Sequence, residues 1–205
     1  MNKIIASNQL LALYKKGYFP MGKNSKSDEI NFYKPEKRFI IPLDTFHIPK
    51  KLFNEFKKGK FQLKINSNFL SVINNCSKSR NNDQETWINQ IIKDTYIELF
   101  NRGFAKSIEC YYEDKLVGGL YGVHLGGCFF GESMFSTKDN TSKHCLLFLI
   151  SLLRDNKFTL LDSQFYNKHL VQFGAFEITD KVYQLILKNS LKENCKFPNF
   201  LNLQK

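Results

Sequence analysis

Three strand-like segments in succession constrain the fold of this chain more than any other feature of its sequence. They are Lys106–Tyr112, Leu116–Val123 and Cys128–Phe135, and they are separated by Glu113-Asp114 and by Gly126-Gly127. Short turns of this composition join neighbouring antiparallel strands. The sequence therefore predicts a three-stranded antiparallel meander.

The segments after the meander extend this pattern. Ser142–Asn156 predicts an apolar helix, Phe158–Phe165 a strand, and Tyr166–Phe173 a helix that ends at Gly174. This order suits an acyl-CoA N-acetyltransferase, in which a glycine-rich turn at the start of the first helix holds the pyrophosphate. Here the turn reads STKDNTSK and contains no glycine, which disfavours a CoA donor.

The residues before the meander predict a smaller, basic unit. Ser7–Lys16 predicts a short helix, RFIIPL a brief strand, and Ile48–Lys58 a helix with a lysine-rich outer face. We place a domain boundary near residue 62. Residues 1–62 are then a small amino-terminal α/β domain, and residues 63–205 a catalytic domain.

The charge of the chain points to a polyanionic partner. The net charge is +11, and residues 15–64 hold thirteen Lys and Arg against five acids. This asymmetry favours RNA or DNA over an anionic membrane, because no amphipathic insertion helix accompanies it. A coding bias toward Lys, Asn, Phe and Ile would produce the same excess, so charge alone leaves both interpretations open.

Several classes of protein are disfavoured by the sequence. The longest apolar run, Cys145–Ile150, is far shorter than the roughly 18 residues of a membrane span. The amino terminus lacks a signal-peptide pattern, which predicts a cytoplasmic protein. Five cysteines without a C-x-x-C pair and four histidines without H-E-x-x-H spacing predict reduced thiols and no metal. We also expect no cofactor.

Acid and amide side chains interrupt the apolar strands. Glu132 stands among Phe and Met residues, and Asp162 and Gln164 lie two apart on a predicted strand, so their side chains point to the same face. Buried polar groups must satisfy each other or await a partner, and this pattern leaves both possibilities open. A second carboxylate on a neighbouring strand would favour a cationic or amine ligand.

Core packing is the favoured interpretation of two apolar features of the sequence. Leu146, Leu149 and Leu153 form one face of the predicted helix, a stripe that is typical of core packing. Trp87, the only tryptophan, is most often a core anchor, but it follows a polar run and could instead stack on a base at the surface.

A collinear set of motifs resembles the bacterial leucyl/phenylalanyl-tRNA–protein transferases. The match runs from about residue 8 to 183, and LVGGLYGV followed by GESMFS and LLDSQ is a long and specific combination. The other matching motifs are LLALYKKGYFP, TWI, SK at Ser142-Lys143, and HL…GA from His169 to Ala175. The resemblance implies an α+β fold, with a small amino-terminal domain and an N-acetyltransferase-like domain that does not bind CoA.

The resemblance also implies an activity. Enzymes of this family move Leu or Phe, with Met as a further candidate, from aminoacyl-tRNA to a protein whose first residue is Lys or Arg, forming a peptide bond and marking that protein for degradation. The implied partners are aminoacyl-tRNA and such acceptor proteins, and we expect a monomer. Two alternatives are a CoA-dependent N-acyltransferase of the same superfold and a non-catalytic tRNA-binding module.

Site residues follow from the resemblance position by position. By similarity, Glu132, Asp162 and Gln164 line the place where the ester carbonyl meets the incoming amine. We expect Gln164 Oε1 to accept a hydrogen bond from that amine while Asp162 orients the amide; alternatively, the RNA ribose hydroxyl carries the proton. The family's apolar side-chain pocket maps onto Leu120, Phe129, Leu146, Leu149, Leu153 and Leu161. Positions linked to the acceptor peptide match Tyr14, Tyr96 and Asn167, and positions linked to tRNA match Lys50, Lys57, Lys58, Trp87 and Met21.

The sequence departs from the family where the terminal adenosine is thought to stack. Met21 stands where the family usually has Trp, and Phe32-Tyr33 replaces its usual Trp-Trp pair. Trp87 is then the remaining large platform. A thioether packs on a base less well than an indole, so these departures predict weaker tRNA affinity rather than altered chemistry.

Overall fold

The computed structural model describes residues 4–78 and 86–198, and this part of the chain folds into two sheets and seven helices. The strands are β1 (Phe19–Gly22), β2 (Ile30–Tyr33), β3 (Lys37–Ile41), β4 (Gln62–Ile65), β5 (Ala105–Tyr112), β6 (Lys115–Leu125), β7 (Cys128–Ser136), β8 (Leu160–Asp162) and β9 (Phe176–Thr179). The helices are α1 (Ser7–Tyr14), α2 (Lys50–Lys57), α3 (Phe69–Cys76), α4 (Gln90–Asn101), α5 (Thr141–Asp155), α6 (Lys168–Val171) and α7 (Asp180–Ser190). No helix in the described residues is long and apolar enough to span a membrane.

The predicted meander is confirmed as β5, β6 and β7. These strands lie in a seven-stranded sheet of order β4-β5-β6-β7-β8-β3-β9, whose neighbours are antiparallel except for β7 and β8. The parallel pair arises because α5 crosses from the end of β7 to the start of β8, as a parallel connection requires. The parallel pairing positions the cavity described below.

The strand after α5 is shorter than the sequence predicted. We predicted Phe158–Phe165, but β8 ends at Asp162, and Gln164 has the left-handed φ of 62°. A residue in that region leaves the extended conformation, so the chain turns away from the sheet. The predicted helix from Tyr166 to Phe173 is likewise reduced to the four residues of α6.

The amino-terminal segment contributes to the main sheet. β3 pairs with β8 on one side and with β9 on the other, while β1 and β2 form a separate two-stranded sheet. Phe39, Ile41 and Leu52 belong to the same buried cluster as Leu146 and Leu161. The domain boundary near residue 62 stays a prediction, and any division there runs through a shared core.

The main sheet separates two hydrophobic clusters. Leu120 and Phe129 pack on the side of α5, whereas their neighbours Tyr121 and Phe130 pack on the side of α1, α3 and α4. This follows from the period of two along a strand. Successive residues of β6 and β7 therefore contribute to different clusters, and both clusters contain aliphatic and aromatic side chains.

Candidate active site

A cavity of about 340 Å³ lies where β7 and β8 diverge. The two strands pair in parallel only as far as Phe130 and Asp162, and β7 then continues to Ser136 without β8 beside it. Residues from both sides of this opening line the cavity, namely Gly131–Met134 and Asp162–Gln164. The carboxyl ends of parallel strands are a common place for ligands in open sheets.

Glu132 is directed to this site by a β-bulge. Tyr121 pairs with Ser133 and Gly122 pairs with Gly131, so Glu132 is the extra residue on β7. A β-carbon at Gly122 would lie 2.2 Å from the carbonyl oxygen of Phe130, which explains why glycine stands opposite the bulge. Bulges occur beside active sites because they re-aim a side chain. The glycine-rich sequence around Glu132 therefore serves the geometry of the site.

One half of the cavity is aliphatic. Four of the six leucine and phenylalanine positions predicted for the side-chain pocket line it, together with Ile41 and Leu170. These four are Leu120, Leu146, Leu149 and Leu161. The other two, Phe129 and Leu153, are fully buried in the adjoining core and do not line the cavity.

The Glu132 carboxylate lies at the polar half of the cavity and accepts three hydrogen bonds. The hydroxyl of Tyr14 donates to Oε1 at 2.6 Å, the hydroxyl of Tyr96 donates to Oε2 at 2.9 Å, and Nε2 of Gln164 donates to Oε1 at 3.2 Å. All three donors are neutral groups. Glu132 itself is half-buried, with part of its surface facing the cavity.

Burial makes Glu132 titrate near neutrality. Loss of hydration raises the pKa of its carboxyl to about 7, against the hydrogen bonds from Tyr14 and Tyr96, which lower it. The charge of Asp162 raises the pKa of Glu132 further, and Arg38 lowers it. Near pH 7, therefore, this carboxyl can either hold or release a proton.

Gln164 presents a free acceptor to the cavity. Its Nε2 donates to Glu132 and its backbone N–H donates to Oδ1 of Asp162 at 2.9 Å. No donor to Oε1 is found among the described residues, and the residue lines the cavity. Because the carboxylate of Glu132 is an acceptor, it fixes which end of the amide faces it, and Oε1 is left for a ligand.

Asp162 lies at the wall of the cavity, where an ion pair encloses its carboxylate. Its side chain is fully buried, and Arg38 donates from Nε at 2.8 Å to Oδ1 and from Nη2 at 2.6 Å to Oδ2. The hydroxyl of Tyr183 donates to Oδ2 at 2.8 Å. With Gln164 N–H, these donors occupy both oxygens. The sequence prediction placed Asp162 and Gln164 on one strand face; the structure brings them together instead through the turn that begins after Asp162.

The remaining predicted site residues take different positions. Tyr14 and Tyr96 are fully buried and reach the cavity only through Glu132. Asn167 and Trp87 line the cavity. Met21 lies on β1, half-buried beside Trp87, whose carbonyl accepts from Gly22 N–H at 3.1 Å. The three lysines predicted for tRNA are exposed on α2 and at its end, and these are Lys50, Lys57 and Lys58.

Three site residues were missed by the sequence analysis. Arg38 and Tyr183 complete the surroundings of Asp162, and Arg38 also lies over the Phe19 and Tyr183 rings, at 4.8 Å and 4.5 Å from their centroids. The sequence does contain one indication of this role, because Arg38 stands at the start of the apolar strand RFIIPL. Tyr121 lines the cavity with a buried hydroxyl that has no hydrogen-bond partner in the described residues. No pattern in the sequence around Tyr121 indicates that this residue lines the cavity.

The described residues contain no cluster of three or more His, Cys, Asp or Glu able to hold a metal ion. The polar groups that line the cavity include the Glu132 carboxylate, the side-chain amides of Gln164 and Asn167, the ammonium of Lys78 and several hydroxyls. Such groups can bind an amine, accept its proton and hold a carbonyl, and the aliphatic half can bind an apolar side chain next to them.

Comparisons with known proteins agree with this chemistry. A family model described as leucyl/phenylalanyl-tRNA protein transferase matches residues 40–188. A leucyl/phenylalanyl-tRNA–protein transferase of Caulobacter vibrioides is 42% identical over 191 residues, covering 93% of this chain and 88% of that protein. One from Hyphomonas neptunium is 42% identical over 197 residues, covering 96% of this chain and 76% of that protein.

Among solved structures, the crystal structure of FemX matches with a TM-score of 0.53 and 11% identity, covering 88% of this chain and 71% of that chain. At this identity the likeness concerns the fold alone. Together with the order of strands and helices, it confirms the predicted α+β fold.

Proposed function

This chain belongs to the leucyl/phenylalanyl-tRNA protein transferase family and is an enzyme of that class, and from this premise we propose how its cavity performs the transfer. The donor is leucyl- or phenylalanyl-tRNA, with methionyl-tRNA as a third substrate, and the acceptor is a protein that begins with Lys or Arg. The observation that carries the proposal is one cavity lined both by leucines and by a carboxylate whose hydrogen-bond donors, among the described residues, are all neutral. The transfer marks the acceptor for degradation in the cytoplasm.

The aliphatic half of the cavity binds the donor side chain. Leu120, Leu146, Leu149 and Leu161 offer contacts to an unbranched or γ-branched chain. One methylene in such a pocket changes binding by only about 1 to 3 kcal/mol, so Leu, Phe and Met should all be accepted. Side chains branched at the β-carbon should be rejected by shape.

The polar half of the cavity binds the acceptor amine. Glu132 has no cationic hydrogen-bond partner in the part of the chain that the structure describes, so it attracts the positive amino terminus and basic side chain of the acceptor. Gln164 Oε1 is free to accept a hydrogen bond from the same amine. An ordinary α-ammonium has a pKa of about 8, close to that of Glu132, so this carboxylate can take the proton that must leave before attack.

The transfer itself is aminolysis of an ester. The amine nitrogen attacks the carbonyl carbon, a C–N bond forms, and the C–O bond to the ribose breaks. The ribose oxygen leaves with a proton that originates on the amine, carried either directly or through the neighbouring ribose hydroxyl. Glutamine is too weak a base to remove that proton alone. We therefore propose that Gln164 positions the amine, and that Glu132 binds the ammonium and accepts the proton that it loses before attack.

Asp162 is a positioning residue in this scheme. Its carboxylate is enclosed by Arg38, Tyr183 and the Gln164 backbone, and so cannot touch either substrate. It holds the backbone of Gln164 in the left-handed conformation that directs the amide toward Glu132. The lysines of α2 provide the electrostatic attraction for the tRNA acceptor stem.

The decisive experiment mixes the protein with leucyl-tRNA and a peptide that begins with Arg. We expect one leucine to be added, detected by mass, and none on a matched peptide that begins with Glu. Donors charged with Phe and Met should react, and those charged with Val or Ile should not. If CoA shifts the melting temperature, or if charged and uncharged tRNA bind alike without transfer, the proposal fails.

Replacing Gln164 by Glu tests the amine contact. A second carboxylate beside Glu132 would raise the pKa of the pair, because two like charges repel at short distance. We expect slower turnover and a pH profile displaced upward. Unchanged turnover with an unchanged profile would show that the amide does not contact the reacting amine.

A further inference from the structure

A second cavity, of about 470 Å³, adjoins the active site. The two cavities share Lys78, Met134 and Asn167 among their lining residues. The second cavity continues along β7 past Met134 to Ser136 and reaches the first turn of α5. A ligand that occupies the active site can therefore extend into the second cavity past these shared residues.

The lining of this second cavity suits an anion. It contains three basic side chains, Lys78, Lys143 and His169, and the hydroxyls of Ser136, Thr137 and Ser142. None of the described lining residues is acidic. Lysines and hydroxyls in one concave site are the groups that bind phosphate oxygens.

Lys143 carries a charge that no carboxylate neutralises in the contacts of the described residues. Its Nζ donates to Oδ1 of Asn140 at 3.0 Å, which is a neutral amide. Such a bond orients the ammonium and leaves its remaining donors for another acceptor. The residue is half-buried, so its position is restricted by the helix on which it lies.

The second cavity also lies next to the lysine-rich helix α2. Oε2 of Glu55 accepts a hydrogen bond from Nδ2 of Asn140 at 2.8 Å, and the ring of Phe56 stacks on His144 with centroids 5.5 Å apart. Both contacts join α2 to the first turn of α5. The helix that carries the exposed lysines Lys50 and Lys57 therefore packs against the turn of α5 that carries Lys143.

We infer that the second cavity binds the phosphodiester groups of the single-stranded 3′ end of the donor RNA, with Lys143 as its principal contact. The inference rests on the proposed function, which places the aminoacyl ester in the first cavity. A strand that ends at the ester must carry its last phosphates away from the active site, and the adjoining basic cavity receives them. Lysine recognition of backbone phosphates is independent of base sequence.

Binding of short RNA tests this without catalysis. The probe is a 5′-labelled ACCA tetranucleotide, and the comparison ligand is adenosine, which has no phosphate. We expect Lys143→Gln to weaken ACCA binding roughly tenfold, the effect of losing one charge-assisted hydrogen bond, and to leave adenosine binding unchanged. The slope of log affinity against log salt should fall by about 0.7.

Two further variants serve as controls. Lys138→Gln removes the same charge five residues away, where Nζ lies 4.7 Å from the centroid of the Tyr112 ring and lines neither cavity. It should bind ACCA like the unmodified protein, and Lys143→Arg should retain most of the affinity. The melting temperatures of the Lys143 variants should match that of the unmodified protein, since the Lys143 side chain makes a single hydrogen bond within the described residues.

Transfer assays separate this inference from the proposed function. With an Arg-initiated peptide, Lys143→Gln should slow transfer from leucyl-ACCA and not from 3′-leucyl-adenosine. If Lys143→Gln binds ACCA normally, or weakens ACCA and adenosine alike, the phosphate site is refuted. If ACCA binding depends on Lys143 but the unmodified protein transfers no leucine, the site stands and the transferase proposal fails.

Discussion

Two carboxylates on adjacent strands of this protein have opposite surroundings. Asp162 is fully buried against the guanidinium of Arg38, whereas Glu132 is half-buried and held by two tyrosine hydroxyls and an amide. Their strands pair at Phe130 and Asp162, only two residues from Glu132. The two carboxylates therefore differ in exposure and in hydrogen-bond partners although they lie close together in the sheet.

The comparison shows that the effect of burial on a carboxylate depends on its hydrogen-bond partners. A carboxylate with a bidentate arginine is held by its counter-charge and serves as a fixed part of the structure. A carboxylate with only neutral donors shifts toward neutral pH, and the pKa of Glu132 is raised to about 7 by burial. We therefore expect changes at Asp162 to affect folding, and changes at Glu132 to affect transfer.

The largest expected effect is on folding. Asp162→Ala leaves the buried guanidinium of Arg38 without its counter-charge, and losing one member of a buried pair costs about 3 to 5 kcal/mol. Urea denaturation should show this loss in the free energy of unfolding. Asp155→Ala, at an exposed position on α5, should change it by less than about 0.5 kcal/mol.

A double variant sharpens this prediction. Arg38→Met with Asp162→Leu removes both charges and leaves neither unpaired, so it should cost much less than Asp162→Ala alone. A double variant as unstable as the single one would show that the ion pair is not what Asp162 contributes.

Glu132→Gln should reduce transfer about a hundredfold while the protein remains folded, because a positioned proton acceptor contributes roughly 10² to 10⁴ in rate. The measurement is kcat/KM for an Arg-initiated peptide between pH 5.5 and 8.5. The unmodified enzyme should gain activity as the pH rises through about 7, and that dependence should disappear in the variant. A variant with normal activity would remove Glu132 from the reaction.

The same variant has a signature in stability. The folded-state pKa of Glu132 lies above its ordinary 4.5, so its protonated form favours the folded state. That contribution is complete below pH 4.5 and is lost as the pH rises through about 7. Glu132→Gln should therefore flatten the decline in unfolding free energy between pH 5 and pH 8.

A smaller effect is expected when one tyrosine donor is removed. The Tyr14 hydroxyl lowers the pKa of Glu132, so Tyr14→Phe should raise that pKa above about 7. The rise of transfer activity with pH should then occur at a higher pH. A carbon-13 titration of the glutamate carboxyls measures it directly. Tyr183→Phe removes a hydroxyl from Asp162 and should leave the Glu132 titration in place. Equal shifts in both variants would contradict the separation of the two carboxylates.

The smallest predicted effect concerns Tyr121. Its buried hydroxyl has no partner in the described residues, so Tyr121→Phe removes an unsatisfied group and should stabilise the fold by about 1 kcal/mol. Tyr96→Phe removes a hydroxyl that donates to Glu132 and should destabilise the folded protein by a similar amount. Thermal denaturation of the two variants compares them, and a loss of stability in Tyr121→Phe would indicate an additional bond to this hydroxyl.

Local sequence determined much of the fold. Alternating apolar residues and short polar turns specified the meander, and the apolar helix that follows was placed within a residue of the observed Thr141–Asp155. The motifs specified the family, and most of the residues assigned to the side-chain pocket line the cavity. These features depend on neighbours in the chain, so periodicity and turn chemistry reveal them.

The roles of the two acids were decided only by the tertiary structure. The resemblance placed Asp162 with Glu132 and Gln164 where the ester meets the amine, but β3 lies next to β8 and brings Arg38 to Asp162 from 124 residues away. The bulge at Glu132 and the left-handed turn at Gln164 depend on strand pairing and close packing. No local pattern encodes which distant strand becomes a neighbour, and that neighbour sets the local electrostatic field. The sequence thus supplied the acids, and the order of strands decided which one is paired with an arginine and which one faces the cavity.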